Sequence, residues 1–313
     1  MNETGARRRL PTCWLIAVAV LLLSAQITLA GETVNPFPVA VRAAVLMDAQ
    51  SGALLYTQDA NERIPPASLT KVLTLFLTFD AIQQGRADLD DIVPISKKAC
   101  RTGGSKMFLK AGDRVPLEEL IKGIAVDSGN DASVAVAEHL EGSERRFVAR
   151  MNEKLRALGI RHTRIETVHG LPARNQYTTA ADMALLARAY IQAHPEALRY
   201  HQLASYTYRN VSQENHNKLL FQDPSVDGLK TGYTRKSGYN LLATAKRGNQ
   251  RLIAVVLKAK SRTIREEEAL RLLNFGFEQS GLSAGAQQPD APPNSDVVAP
   301  PVENAEEVSP EGV

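Results

Sequence analysis

The sequence predicts an α+β domain in which a central antiparallel sheet is flanked by helices and interrupted by an inserted helical region. Two β-hairpin patterns bracket the folded part, at residues 41–57 and 239–259. Between them, from about residue 82 to residue 200, apolar residues recur mainly at helical spacing. A closing amphipathic helix is expected over 265–277, with Leu270, Leu273 and Phe277 on one side. The sheet therefore draws strands from both ends of the domain.

Taken in order, the chain opens on a leader. Arg7-Arg8-Arg9 is a basic n-region, Trp14 to Leu23 an apolar h-region, and Thr28-Leu29-Ala30 supplies small residues. This pattern is that of a secretory signal peptide over residues 1–30, cleaved after Ala30. The alternative is an uncleaved N-terminal anchor, since extension of the apolar run to Ala30 approaches a spanning length. Either way the body is expected to be exported, to the periplasm or another extracytoplasmic space.

Residues 41–48 read as a strand, 49–52 as a turn and 53–57 as a returning strand. Pro65-Pro66 then stops the chain and prepares a helix start, and Val72-Leu73-Thr74-Leu75-Phe76-Leu77 continues as a helix buried on most faces. Helical spacing recurs over 117–124, 133–140, 146–158 and 180–192, with a turn at 110–113. Residues 206–208 are β-prone, 226–234 form a strand, and 239–246 and 252–259 pair across the turn Arg247-Gly248-Asn249-Gln250. From residue 283 the composition narrows to Pro, Ala, Asp, Glu, Gln and Val without aromatics, so 283–313 is expected to be a disordered acidic tail behind a 31–282 domain.

The charge divides the same way. Of a formal net +3, the leader carries +2 and the tail, with six acids and no Lys or Arg, −6, which leaves +7 on the domain. A basic exported domain suits anionic envelope polymers or substrates ending in a carboxylate and argues against nucleic acid. Cys13 departs with the leader, so Cys100 has no partner for an internal disulfide and reads as a packed residue.

The chemistry is carried by three short motifs. In Ser68-Leu69-Thr70-Lys71 the serine and lysine stand three apart at the start of a core helix, where hydroxyl and amine can meet. A lysine whose pKa burial lowers can take the hydroxyl proton. A chain of this length contains about one such motif by chance, so on these residues alone a helix start with a solvated lysine is by far the commoner reading. Sixty residues on comes Ser128-Gly129-Asn130, a hydroxyl to relay a proton and an amide to hold a carbonyl or the lysine. The same Ser, Asn and Asp131 also read as an N-cap. One hundred residues after Asn130 comes Lys230-Thr231-Gly232, adding a cation, a hydroxyl and a glycine where a ligand backbone can approach; an ordinary strand with a glycine bulge is its alternative.

Ser-x-x-Lys, Ser-x-Asn and Lys-Thr-Gly in this order form the set of penicillin-binding proteins and class A β-lactamases. The chain resembles the low-molecular-mass penicillin-binding proteins, serine D-alanyl-D-alanine carboxypeptidases, over about residues 38–280. Pro66-Ala67-Ser68-Leu69-Thr70-Lys71, Met107-Phe108-Leu109-Lys110, Ser128-Gly129-Asn130-Asp131-Ala132, Thr167-Val168-His169-Gly170-Leu171 and Val226-Asp227-Gly228-Leu229-Lys230-Thr231-Gly232 carry the likeness. It implies the β-lactamase/transpeptidase-like fold and an acyl-enzyme on Ser68, with Lys71 as base, Ser128, Asn130 and Lys230 completing the catalytic set. Thr231, Gly232, Tyr233 and Arg262 would bind substrate, Ser68 N and Tyr233 N would form an oxyanion hole, and Thr231 and Arg262 would hold a terminal carboxylate. The implied partners are peptidoglycan stem peptides ending in D-Ala-D-Ala and, as covalent inhibitors, β-lactams; no cofactor or metal is implied.

Some features depart from the family. Tyr233 stands where some relatives have His, and residues 97–105 are shorter than in some; longer relatives add a β-rich domain and an amphipathic membrane-binding C-terminus, whereas the acidic, proline-rich tail read here leads to the expectation of no C-terminal membrane anchor. Three other readings share part of this pattern. A D,D-endopeptidase shares every motif. A β-lactamase of class A type needs a Glu in an E-x-x-L-N context, whereas Glu166 is followed by Thr-Val-His-Gly. A non-enzymatic wall-binding protein has no need of the intact motifs. No His-Glu-x-x-His favours a zinc peptidase, and His169 reads as structural.

Overall fold

The computed structural model describes residues 36–282; the leader and the tail lie outside the described residues. The chain first forms β1 (Ala43–Asp48) and β2 (Leu54–Gln58). Two short antiparallel pairs follow at the edge of the helical block, β3 (Ile92–Pro94) with β4 (Arg114–Pro116) and β5 (Ser205–Tyr208) with β6 (Val211–Glu214). Then come β7 (Val226–Thr234), β8 (Gly238–Arg247) and β9 (Gln250–Ala259). Five strands make the central sheet in the order β2-β1-β9-β8-β7, every neighbour antiparallel. The first and last strands of the domain thus meet in its middle, where Val45 pairs with Val255.

The continuous run Leu252 to Leu257 is apolar because both faces of β9 are covered. Strand side chains alternate between faces. On one face Val45, Met47, Ile253, Val255 and Leu257 pack with the helical block. On the other, Ala44, Leu46, Leu252, Ala254 and Val256 pack against Leu272, Leu273 and Phe277 of the closing helix, Arg262–Gln279. That helix starts three residues earlier than its apolar period indicates, because Ser261 caps it by accepting from Ile264 N at 3.1 Å.

The helix Thr70–Gln83 runs through the helical block with Val72, Leu73, Leu75 and Phe76 buried. Each such side chain contributes on the order of 1.5–3 kcal/mol. Around it lie the helices Leu117–Ala125, Asn130–Glu141, Glu144–Ala157 and Ala180–Ala193. Ser143 and Thr179 cap the last two with their side-chain oxygens. The three-residue strands β3 and β4 and the five-residue helix Lys97–Arg101 are too short to show a period in sequence. No helix among the described residues is long and apolar enough to cross a membrane.

Candidate active site

Ser68 is presented just ahead of the helix that the prolines prepare. Ala67–Leu69 forms a single 3-10 turn in front of Thr70, and Ala67 takes φ +48° to make it. Ser68 is half-buried, while Lys71, one turn on, is fully buried. Lys71 Nζ lies 3.0 Å from Ser68 Oγ, 2.6 Å from Asn130 Oδ1 and 2.8 Å from the His169 carbonyl. Burial, and then the nearby Lys230 cation, hold the Lys71 pKa well below its ordinary value against the opposing charge of Asp131. A neutral amine has two N–H donors and one lone pair. Asn130 and His169 take the two donors, and the lone pair is left for the Ser68 hydroxyl proton.

Asn130 and Asp131 do not act as an N-cap. The helix begins at Asn130 itself, its N-cap is Gly129, and no side chain caps it. Asn130 instead bridges, its Nδ2 donating to the Gly103 carbonyl at 2.6 Å while Oδ1 accepts from Lys71. Asp131 accepts from Met107 N at 3.0 Å and Leu109 N at 3.1 Å, tying the 103–109 segment to the helix start. Ser128 sits before this helix at φ +60°, nearly fully buried, and its Oγ has no hydrogen-bond partner among the described residues. The structure therefore brings Ser128 to the site without joining it to either lysine.

Strand β7 supplies the opposite wall. Lys230 is buried and its Nζ reaches only the Thr231 carbonyl, at 3.4 Å, among the described residues. Burial, with the Arg265 cation, lowers its pKa to about 7 against the pull of Asp127. Asp127 is itself raised to about 7 by burial and by Asp131. Gly232 lies against the nucleophile turn, since a Cβ there would stand 3.1 Å from Ser68 N. The missing side chain thus admits the protein's own backbone. Tyr233 is 54% exposed and stacks on Tyr239 with ring centroids 4.3 Å apart.

These walls enclose a cavity of about 290 Å³ that brings Ser68, Ser128, Thr231, Gly232, Tyr233 and Arg262 to one space. Ser105, His216 and Arg265 line it as well and were not identified from sequence. Arg265 carried a signal, standing one turn from Arg262 on the same helix face. It is buried, donates to Glu266 at 2.6 Å and to the His216 carbonyl at 3.4 Å, and leaves its Nε without a partner among the described residues. Glu166 does not line this cavity; it accepts from Asn175 N at 3.1 Å and pairs with Arg164 at 3.6 Å.

An antiparallel sheet between two apolar layers, with a half-buried serine and a fully buried lysine paired beside its edge strand, defines a serine peptidase of the penicillin-binding type. The comparisons agree. The family model of peptidase S11, D-alanyl-D-alanine carboxypeptidase, matches residues 30–261, and the chain belongs to that family. It is 43% identical over 267 residues to the D-alanyl-D-alanine carboxypeptidase DacC of Escherichia coli, covering 83% of this chain and 67% of that protein. Its identity to DacF of Bacillus subtilis is 37% over 285 residues, 87% of this chain and 72% of the relative. Among solved structures, penicillin-binding protein 6B from Escherichia coli superposes with a TM-score of 0.75 at 42% identity, covering 79% of this chain and 80% of that one.

Proposed function

We propose that the protein is a serine D-alanyl-D-alanine carboxypeptidase that removes the terminal D-Ala from peptidoglycan stem peptides through an acyl-enzyme on Ser68. The observation that carries this reading is the Lys71 amine, buried, short of a charge partner and 3.0 Å from Ser68 Oγ. Ser68 Oγ attacks the carbonyl of the penultimate D-Ala as Lys71 accepts its proton. Ser68 N and Tyr233 N stabilise the oxyanion, a contribution of about 3 kcal/mol per donor. Ser128 passes a proton to the departing amine with Lys230 behind it, Asn130 keeps Lys71 in place, and free D-Ala leaves. Water then attacks the ester, giving the shortened peptide and restoring the Ser68 hydroxyl. Thr231 and Arg262 receive the substrate's terminal carboxylate, which a guanidinium fork matches with two hydrogen bonds. A β-lactam acylates the same serine.

The domain is residues 31–282, behind a leader over 1–30 that exports it to the periplasm or an equivalent space, and ahead of a tail over 283–313. Support for this division is the basic and apolar patterning of the first thirty residues and the acidic, aromatic-free composition of the last.

The test is release of D-Ala from a diacylated Lys-D-Ala-D-Ala peptide, with Ser68→Ala as control. Serine-dependent release with covalent penicillin labelling of wild type alone is expected. Labelling without release would assign the acyl-enzyme to a different peptide substrate, and labelling of Ser68→Ala would remove Ser68 as the nucleophile.

A further inference from the structure

On the Tyr233–Tyr239 pair the catalytic cavity adjoins a second groove of about 670 Å³, for the two tyrosines line both. Val39, Val41, Ala259 and Ile264 give this groove an apolar floor. Its rim carries Arg42, Arg235, Lys236, Lys258 and Lys260, and among the described residues no acidic one lines it. Arg42 is engaged with Asp59 and Glu62. The charged groups of the other four have no ion-pair or hydrogen-bond partner among the described residues, and all four side chains are exposed. Four unpaired cations within one groove repel one another, a cost that an anionic occupant relieves.

The rim is also built. The β8–β9 register shifts between Tyr239 and Leu241, so that Tyr239 pairs with Ala259 while Leu241 pairs with Val256. Such a bulge re-aims side chains. Lys258 adopts φ +59° within it, and the fully buried Asn240 clamps Lys258 N at 2.7 Å. The hairpin turn between β7 and β8 places Arg235 and Lys236 on the same rim, next in sequence to the strand end that carries Tyr233.

We infer that this groove holds a carboxylate-bearing stretch of the wall polymer while another stem end of that polymer occupies the Ser68 cavity. The inference rests on the reading of the site given above. On that reading every uncut stem ends in a carboxylate, so the polymer presents repeated anions, whereas a free tripeptide presents one. The groove then discriminates polymer from small peptide by an electrostatic contact that salt weakens.

The test compares the full-length wild-type chain with Arg235→Glu/Lys236→Glu and, separately, Lys258→Glu/Lys260→Glu. D-Ala release is followed from diacylated Lys-D-Ala-D-Ala and from uncross-linked pentapeptide-rich peptidoglycan, at salt from about 0.05 to 0.3 M. Expected is a fall of about tenfold or more in kcat/KM on the polymer for each variant. The tripeptide rate stays within about twofold, and the salt dependence on polymer flattens. Equal losses on both substrates, or none on the polymer, overturn the inference. So does a rise in polymer activity in both charge-reversed variants that deletion of 283–313 reproduces, which would assign the groove to the chain's own acidic tail. Co-sedimentation with the polymer is measured alongside and needs no turnover. Wild type inactive on both substrates but retained by the polymer through these cations would overturn the catalytic reading and leave the groove assigned.

Discussion

Gly170 faces the carbonyl of Ala67 so closely that a Cβ built on Gly170 would fall inside the envelope of that carbonyl. Ala67 immediately precedes Ser68, and His169, the residue before Gly170, offers its carbonyl to Lys71. Gly170 N in turn donates to Thr167 Oγ1 at 3.0 Å. The 167–171 segment therefore braces the serine's turn and the lysine's amine together.

Gly170→Ala should damage both. The backbone at φ +86° strains any side chain, and the Cβ must displace the Ala67 carbonyl. The expected loss is about 2–4 kcal/mol of stability, read by urea unfolding, with penicillin acylation slowed at least about tenfold. Gly159→Ala is the control, for Gly159 has φ +73° but open space around its Cβ. It should lose about 1–2 kcal/mol and acylate normally. If both variants acylate at the wild-type rate, the brace is not functional.

The acid limb of acylation should belong to Lys71. The neutral amine is the base, so the rate falls as pH drops through the Lys71 pKa. Lys230 lowers that pKa by repulsion, hence Lys230→Gln should move the limb to higher pH as well as lower the plateau. Stability carries a related signature. The folded-state pKa of Lys230 is about 7 against 10.5 for an ordinary lysine. From pH 10.5 down to 7 the unfolded chain binds more protons, so stability falls with falling pH over that window. Urea midpoints should rise between about pH 7 and 10, less steeply in Lys230→Gln. A limb that stays in place in Lys230→Gln would deny the coupling.

Arg262 and Arg265 should separate by role. Arg262 is exposed at the cavity, so Arg262→Ala should weaken peptides with a free terminal carboxylate, by about 2–3 kcal/mol in kcat/KM, and spare an ester that lacks one. Arg265 is buried behind it, held to Glu266. Arg265→Ala leaves Glu266 unpaired and should cost stability, about 3 kcal/mol, measurable as a lowered unfolding midpoint. Equal effects of Arg262→Ala on the two substrates would take Arg262 out of the carboxylate site.

Much of this site was legible because its chemistry sits in three contiguous motifs. Ser68 and Lys71 meet through their three-residue spacing at a helix start, and the strand that holds Lys230 leads into two β-prone runs joined by the turn Arg247-Gly248-Asn249-Gln250. Other parts leave no residue-type signal. The Lys71 acceptor at position 169 is a backbone carbonyl, which any residue supplies. Asn130 and Asp131 have the composition of a cap, and only the tertiary fold turns their side chains to Lys71 and to Met107 and Leu109. Arg265 does not stand out in sequence, because a basic residue on an amphipathic helix ordinarily faces water. The unpartnered Ser128 Oγ depends on a left-handed backbone that the sequence does not announce.

Asp131 offers the sharpest separation of structure from chemistry. Its carboxylate is fully buried and accepts from Met107 N, Leu109 N and Ala132 N. Asp131→Ala orphans buried N–H groups and should cost about 3–4 kcal/mol. Asp131→Asn retains one acceptor oxygen and should lose less, about 1–2 kcal/mol. The amide also removes the negative charge that favours protonated Lys71. Lys71 should then lose its proton more readily, and the acid limb of penicillin acylation should shift to lower pH in Asp131→Asn. A purely structural Asp131 would lower the plateau and the unfolding midpoint with the limb unmoved. A limb displaced downward together with a smaller stability loss than in Asp131→Ala would show that the carboxylate both anchors the 103–109 segment and sets the proton affinity of the base.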